Sequence, residues 1–292
     1  MRYLLENKIN KLAQIHSATK RQLAVFAFDY ITAQIILDGL YEIDELELFS
    51  GWLNSLGEKK IFDGIAVDIG ANIGNHSLYF SDFFTEIIAF EPHPRSFELL
   101  KINSTLVNNI KCLNLGLSSK AREAKLYVNG RNMSGAKLEK SSKNESADIN
   151  LSTLDLVLNE LEKKVKVIKI DVEGHEFEVL SGAKKTIIKH QPLILFEQHK
   201  DDFSDGTSNV IELIRSYGYS HFACVEKKQN IPKYLPKKLS YFYAGITQLI
   251  NGSSRQITEI NKFQPQFYTF IVAIPDWIYK CVNSESIKKN QR

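Results

Sequence analysis

Cysteine is scarce in this chain of 292 residues: Cys112, Cys224 and Cys281 are odd in number and far apart, which excludes a disulfide framework or a metal knuckle. Cys112 and Cys224 fall in apolar, strand-like runs, where cysteine behaves as a small buried hydrophobe, and a reducing compartment is expected. No run reaches the ~18 consecutive apolar residues of a membrane-spanning helix. The opening Met-Arg-Tyr-Leu-Leu-Glu-Asn-Lys has too short an apolar run for a signal peptide, so a cytoplasmic protein is expected. The net charge is only +3, which implies no nucleic-acid partner without a localised basic face. Internal repeats are absent. A hydrophobic fraction of 43% and a charged fraction of 24% are those of an ordinary globular enzyme.

The pattern changes near residue 60. Before it, Ile43, Leu46, Phe49, Trp52, Leu53 and Leu56 recur at helical spacing and form one face, so residues 1–60 read as a mainly helical extension. Residues 22–40 are apolar at both periods and fit helix or strand. Residues 61–292 read as one α/β domain, in which short apolar strands alternate with amphipathic helices. Strands are expected at 65–67, 86–90, 110–115, 165–170, 193–196, 221–225 and 267–274, giving a doubly wound, mostly parallel, seven-stranded sheet. Two segments interrupt the alternation. Residues 121–150 contain an extended stretch at 125–128 and a polar loop at 139–147. Residues 227–266 hold seven Lys/Arg against one acid, Glu259, with interleaved tyrosines. That insertion fits a lid or acceptor-binding element, and equally a solvated basic loop or a contact within a homodimer.

Four acids, Asp68, Glu91, Asp171 and Glu197, stand at four successive strand ends. In such a sheet these ends share one edge, where ligands bind. Val67-Asp68-Ile69-Gly70-Ala71-Asn72-Ile73-Gly74-Asn75 joins a strand to a helix through two glycines, which let a ligand approach the backbone. Its Gly-x-x-x-Gly spacing puts Asn72 where a dinucleotide fingerprint needs glycine. Asp68 is expected near a ligand ammonium. Glu91, followed by Pro92, suits the two hydroxyls of a ribose. Asp171, Glu173, His175 and Glu197 are candidates for a general base or for holding a divalent ion that acidifies a hydroxyl. Their spacing matches no fixed metal template, so no metal site is expected. Glu176 also suits the first turn of the following helix, and Lys169 reads as structural.

These pieces, together with Phe-Glu-Pro-His-Pro (90–94), Leu-Asn-Leu-Gly-Leu-Ser (113–118), Ser-Thr-Leu-Asp (152–155) and Lys-Ile-Asp-Val-Glu-Gly-His-Glu (169–176), resemble the FkbM-type methyltransferase family. They occur in the family's order over roughly residues 60–225, with Gly39-Leu40-Tyr41-Glu42 just ahead. The resemblance implies a Rossmann-like class I methyltransferase fold that uses S-adenosylmethionine and usually transfers to oxygen. Asp68, Gly70, Asn72, Gly74, Asn75, Glu91 and Pro92 would then surround the cofactor, with 113–118 bordering its adenine. The acceptor implied is a small molecule or a glycan, as in polysaccharide biosynthesis. Rival readings are a non-catalytic scaffold that keeps the fold, an NAD-dependent nucleotide-sugar enzyme, and a nucleic-acid methyltransferase. The last would need an Asn-Pro-Pro-Tyr type of element, which the sequence lacks.

Overall fold

A computed structural model describes residues 2–56, 59–128, 136–137, 145–227 and 255–280. Its main sheet contains β1 (Ile65–Ile69), β2 (Glu86–Phe90), β3 (Ile110–Leu113), β4 (Val165–Ile170), β5 (Leu193–Gln198), β6 (His221–Lys227), β7 (Arg255–Glu259) and β8 (Tyr268–Ile274). The spatial order is β3-β2-β1-β4-β5-β8-β6-β7, with β1 to β5 mutually parallel. β8 runs antiparallel to β5 and β6, and β7 antiparallel to β6. Strand order reverses between β1 and β4, which opens a crevice at their carboxyl ends.

The sheet is the doubly wound, Rossmann-like one expected, with one correction: among the described residues it has eight strands. The extra strand, β7, comes from the segment read as an insertion. It pairs with β6 from Ala223↔Glu259 to Lys227↔Arg255, satisfying a backbone edge that β6 would otherwise expose. Within the same segment, residues 228–254 lie outside the described residues, as do 139–144 of the polar loop at 139–147.

The strands look continuously apolar because both faces are covered. Ile65, Val67, Ile168, Ile194 and Phe196 enter one core, with Val179, Ile187 and Ile211 from the helices behind them. Ala66, Val167, Leu193 and Leu195 enter the opposite core. The helices of the domain include α4 (Asn75–Phe80), α5 (Pro94–Ser104), α6 (Leu154–Val157), α7 (Glu176–Ser181), α8 (Lys184–His190) and α9 (Asn209–Ser216). Three helices precede them: α1 (Arg2–Thr19), α2 (Tyr30–Asp38) and α3 (Ile43–Ser55). On α3, Leu46, Phe49 and Leu53 are buried in the second core, as their spacing required. Residues 22–40, which fit either period, contribute α2, started by Asp29, whose carboxylate accepts from the Ile31 N–H, and stopped by Gly39 in the left-handed region.

A second, four-stranded sheet leaves the domain after β3. Its long pair, Arg122–Val128 and Glu145–Ser152, is antiparallel, and Gly116–Leu117 and Ala136–Lys137 flank it. The sequence indicated only one extended stretch here. Leu126, Ile149 and Leu151 form its small core.

Candidate active site

The turn after β1 is set by backbone constraints. Gly70 (φ +78°) lies against the chain leaving β4, and a Cβ there would collide with the Asp171 carbonyl. Asn72 holds the left-handed region at φ +49°, which asparagine tolerates better than most residues. Its N–H donates to Glu91 Oε2 (2.8 Å), while the His93 N–H donates to Glu91 Oε1 (2.8 Å). Glu91 is therefore fixed in orientation, and each carboxylate oxygen keeps a lone pair for a further donor. Burial raises its pKa to about 7, against the opposing pull of those two amides and Lys169. Asn72 Oδ1 is buried with no hydrogen-bond donor among the described residues.

Behind this turn lies a buried charge group. Lys169 (3% exposed) stands 3.4 Å from Asp68 Oδ1 and 3.3 Å from Asp171 Oδ2. Burial alone would lower the lysine pKa, but Asp68 and Asp171 together with Glu42 outweigh it and raise it. Asp68, wholly enclosed, accepts from Ser77 Oγ (2.6 Å). It is thus committed to the interior, and Lys169 has a larger part in the site than its structural reading suggested. Asp171 is the member of this group that reaches the open crevice.

The crevice is a cavity of about 630 Å³, within the range of about 300–1,000 Å³ typical of ligand sites. Of the residues expected at the cofactor, Gly70, Asn72, Glu91 and Pro92 line it, and Leu115, Gly116 and Leu117 of the 113–118 segment join them. Asp68, Gly74 and Asn75 do not line it. Gly74 (φ +89°) precedes α4, and a Cβ on it would press on Leu100. Asn75 holds the extension: it accepts from the Tyr41 N–H (3.0 Å) and donates to the Tyr41 carbonyl (2.9 Å).

All four candidates for acid–base work line this same cavity: Asp171, Glu173, His175 and Glu197. The Glu197 carboxyl is pushed up to about 8 by burial and by the neighbouring charges of Asp171, Glu173, Glu42 and Glu176. His175 Nε2 lies 3.0 Å from Ser118 Oγ, and burial lowers the ring's pKa. Glu173 (φ +55°) and Gly174 (φ +97°) make a sharp turn. Glu176 Oε1 supports that turn by accepting from the Val172 (3.3 Å) and Gly174 (3.2 Å) N–H groups. Glu176 thus acts on its own loop. Among the described residues, no group of three or more His, Cys, Asp or Glu is placed to hold a metal ion.

The remaining walls were only partly legible. Tyr30, Gln34 and Tyr41 come from the extension, and Leu126, Ile149 and Leu151 from the second sheet. Glu42 faces His76 Nε2 at 3.3 Å; burial would raise its pKa, but His76, Lys169 and Tyr41 hold it below the ordinary value. Arg255, at the start of β7, pairs with Glu45 of α3. Asn103, buried in α5, clamps the extension a second time: it accepts from the Ala24 N–H (2.7 Å) and donates to the Ala24 (2.9 Å) and Ile73 (2.8 Å) carbonyls. No motif marked Arg255 or Asn103.

A doubly wound sheet with an acid at the end of β2, a glycine turn after β1 and a carboxylate-rich cavity at the switch point defines an α/β domain of the class I methyltransferase type. The model of the methyltransferase FkbM domain matches residues 68–220, just over half of the chain. The chain belongs to this family. A hexuronic acid methyltransferase, AglP of Haloferax volcanii, is 30% identical over 152 residues, covering 50% of this chain and 61% of its own length. The methyltransferase sdnD of Sordaria araneosa is 31% identical over 152 residues, covering 40% of this chain and 59% of its own. The chain thus spans about three fifths of the curated relatives it matches. The crystal structure of a methyltransferase FkbM from Methylobacillus flagellatus is 19% identical, with a TM-score of 0.39, covering 73% of this chain and 53% of that one.

Proposed function

We propose that the chain is an S-adenosylmethionine-dependent O-methyltransferase acting on a hydroxyl of a sugar or similar small acceptor. The observation that carries this reading is that one cavity runs from Glu91, at the end of β2, to Asp171, Glu173, His175 and Glu197 at the ends of β4 and β5. The residues fit the cofactor. Glu91 has lone pairs for two ribose hydroxyls, Asn72 Oδ1 awaits a donor, and Leu115, Leu117 and Leu151 offer an apolar wall for a base. S-adenosylmethionine supplies a methyl carbon already activated by its sulfonium, so alignment is the protein's main task. In this reading Asp171, fixed from behind by Lys169, accepts the hydrogen bond of the acceptor hydroxyl and orients its oxygen. Glu173 adds negative potential where positive charge is bound. Residues 1–60 close the acceptor end over the domain of 61–292, tied down by Asn75 and Asn103.

The test is transfer of an isotopically labelled methyl group from S-adenosylmethionine to a panel of glycosides. Label in a base-stable ether supports the reading. Label in a base-labile ester, or hydride exchange with NADH instead, counts against it.

A further inference from the structure

The end of the cavity away from Glu91 has an unusual chemistry. Glu42, Asp44, Glu45, Glu173 and Glu197 line it, and the described cation among its lining residues is Arg255, already paired with Glu45. The crowding of negative charge is visible in its effects. Burial raises both the Glu197 carboxyl and the Tyr41 hydroxyl, and Glu42 and Asp171 push each further in the same direction. A second observation is independent of charge. Phe267 lines the cavity yet is 54% exposed, a large aromatic face left open beside the acids. It is held by His199, whose ring lies 5.4 Å away and whose Nε2 lies 3.4 Å from Glu197 Oε1. Tyr30, Gln34, Tyr41 and Thr269 add neutral donors and acceptors to the lining of the same cavity.

An aromatic face beside hydroxyl and carboxyl acceptors suits the C–H face and the hydroxyl rim of a pyranose. Glu42, Asp44 and Glu173 repel any ring that brings its own carboxylate, because like charges a few ångströms apart in a partly buried site are costly. We propose that the acceptor end takes one uncharged pyranose ring stacked on Phe267 and discriminates against a hexuronate. The proposal rests on the methyl-transfer reading and narrows its substrate class.

The experiment compares methyl β-D-glucopyranoside with methyl β-D-glucopyranosiduronate as acceptors for labelled S-adenosylmethionine, with S-adenosylhomocysteine binding measured on the same protein. The expected result is a kcat/KM for the neutral glycoside about tenfold or more above that for the uronate, with the gap narrowing between about 50 and about 500 mM salt. Phe267→Ala should raise KM for the neutral glycoside about fivefold or more, leaving kcat and S-adenosylhomocysteine affinity close to wild type. Equal or reversed preference, or an unchanged KM in Phe267→Ala, overturns the proposal. So does methylation of neither glycoside by protein that still binds S-adenosylhomocysteine, an outcome that leaves the methyl-transfer reading standing. Loss of S-adenosylhomocysteine binding in the wild type would instead remove that reading, and this proposal with it.

Discussion

Lys169→Met isolates the buried charge group on which the site is built. The methionine keeps most of the side-chain volume but leaves Asp68 wholly enclosed, with Ser77 as its hydrogen-bond donor among the described side chains. Both members of the Lys169–Asp68 pair are buried, at 3% and 0% exposure, so solvent screening does not soften the loss. Removing one partner of such a pair costs about 3–5 kcal/mol, because an uncompensated charge is stranded. That is a large share of the ~5–15 kcal/mol that holds a typical domain together. Urea denaturation near pH 8 should show the variant's midpoint falling steeply. Asp68→Asn in the same background should recover much of the loss. A variant within about 1 kcal/mol of wild type, with no rescue by Asp68→Asn, would refute the reasoning.

Glu91 should make cofactor binding depend on pH. Its carboxyl titrates at about 7, and ribose hydroxyls donate to the ionised form, so S-adenosylhomocysteine should bind about tenfold more weakly at pH 6 than at pH 8. A Kd flat over that range in calorimetry would count against the contact. Glu91→Ala should raise the Kd about tenfold or more, and unchanged binding would remove the residue from the cofactor site. Asp171→Asn should lower turnover while leaving cofactor affinity nearly intact; wild-type turnover would take it out of the reacting centre. Gly70→Ala should cost about 2–5 kcal/mol, because left-handed strain adds to the collision with the Asp171 carbonyl. A wild-type melting temperature would contradict that geometry. Asn75→Ala should free the Tyr41 segment, read as faster proteolysis within residues 20–45 with the domain still folded. Unchanged cleavage would mean that other contacts hold the extension.

The parallel core was legible because its strands carry a local signal: an apolar run, closed in four of the five by an acid, then a turn. Gly70, Asn72, Glu91 and Asp171 could be placed because covalent spacing fixes where a strand ends relative to its turn. What depended on distant pairing was not legible. β7 is recognisable only with β6 beside it, and the two strands are joined by residues outside those described. The second sheet likewise depends on the pairing of 122–128 with 145–152 across sequence that looks like a polar loop. Asp68 carries the strand-end signal of its three fellow acids but faces inward, since it is the penultimate residue of β1 and alternation turns it toward Lys169. Lys169, inside an apolar strand, gives no sign of the two carboxylates that tertiary packing brings to it. Asn75 reads as a helix start in the cofactor loop, and nothing local shows that Tyr41 occupies both of its amide groups.

The central claim is that this cavity holds S-adenosylmethionine. Titration of the purified chain by calorimetry with S-adenosylmethionine, S-adenosylhomocysteine and NADH, with and without magnesium, tests it most directly. The account predicts saturable one-to-one binding of the two sulfur nucleotides, lost or sharply weakened in Glu91→Ala, and none of NADH. Binding of NADH alone, or of none of the three by folded protein, would contradict it.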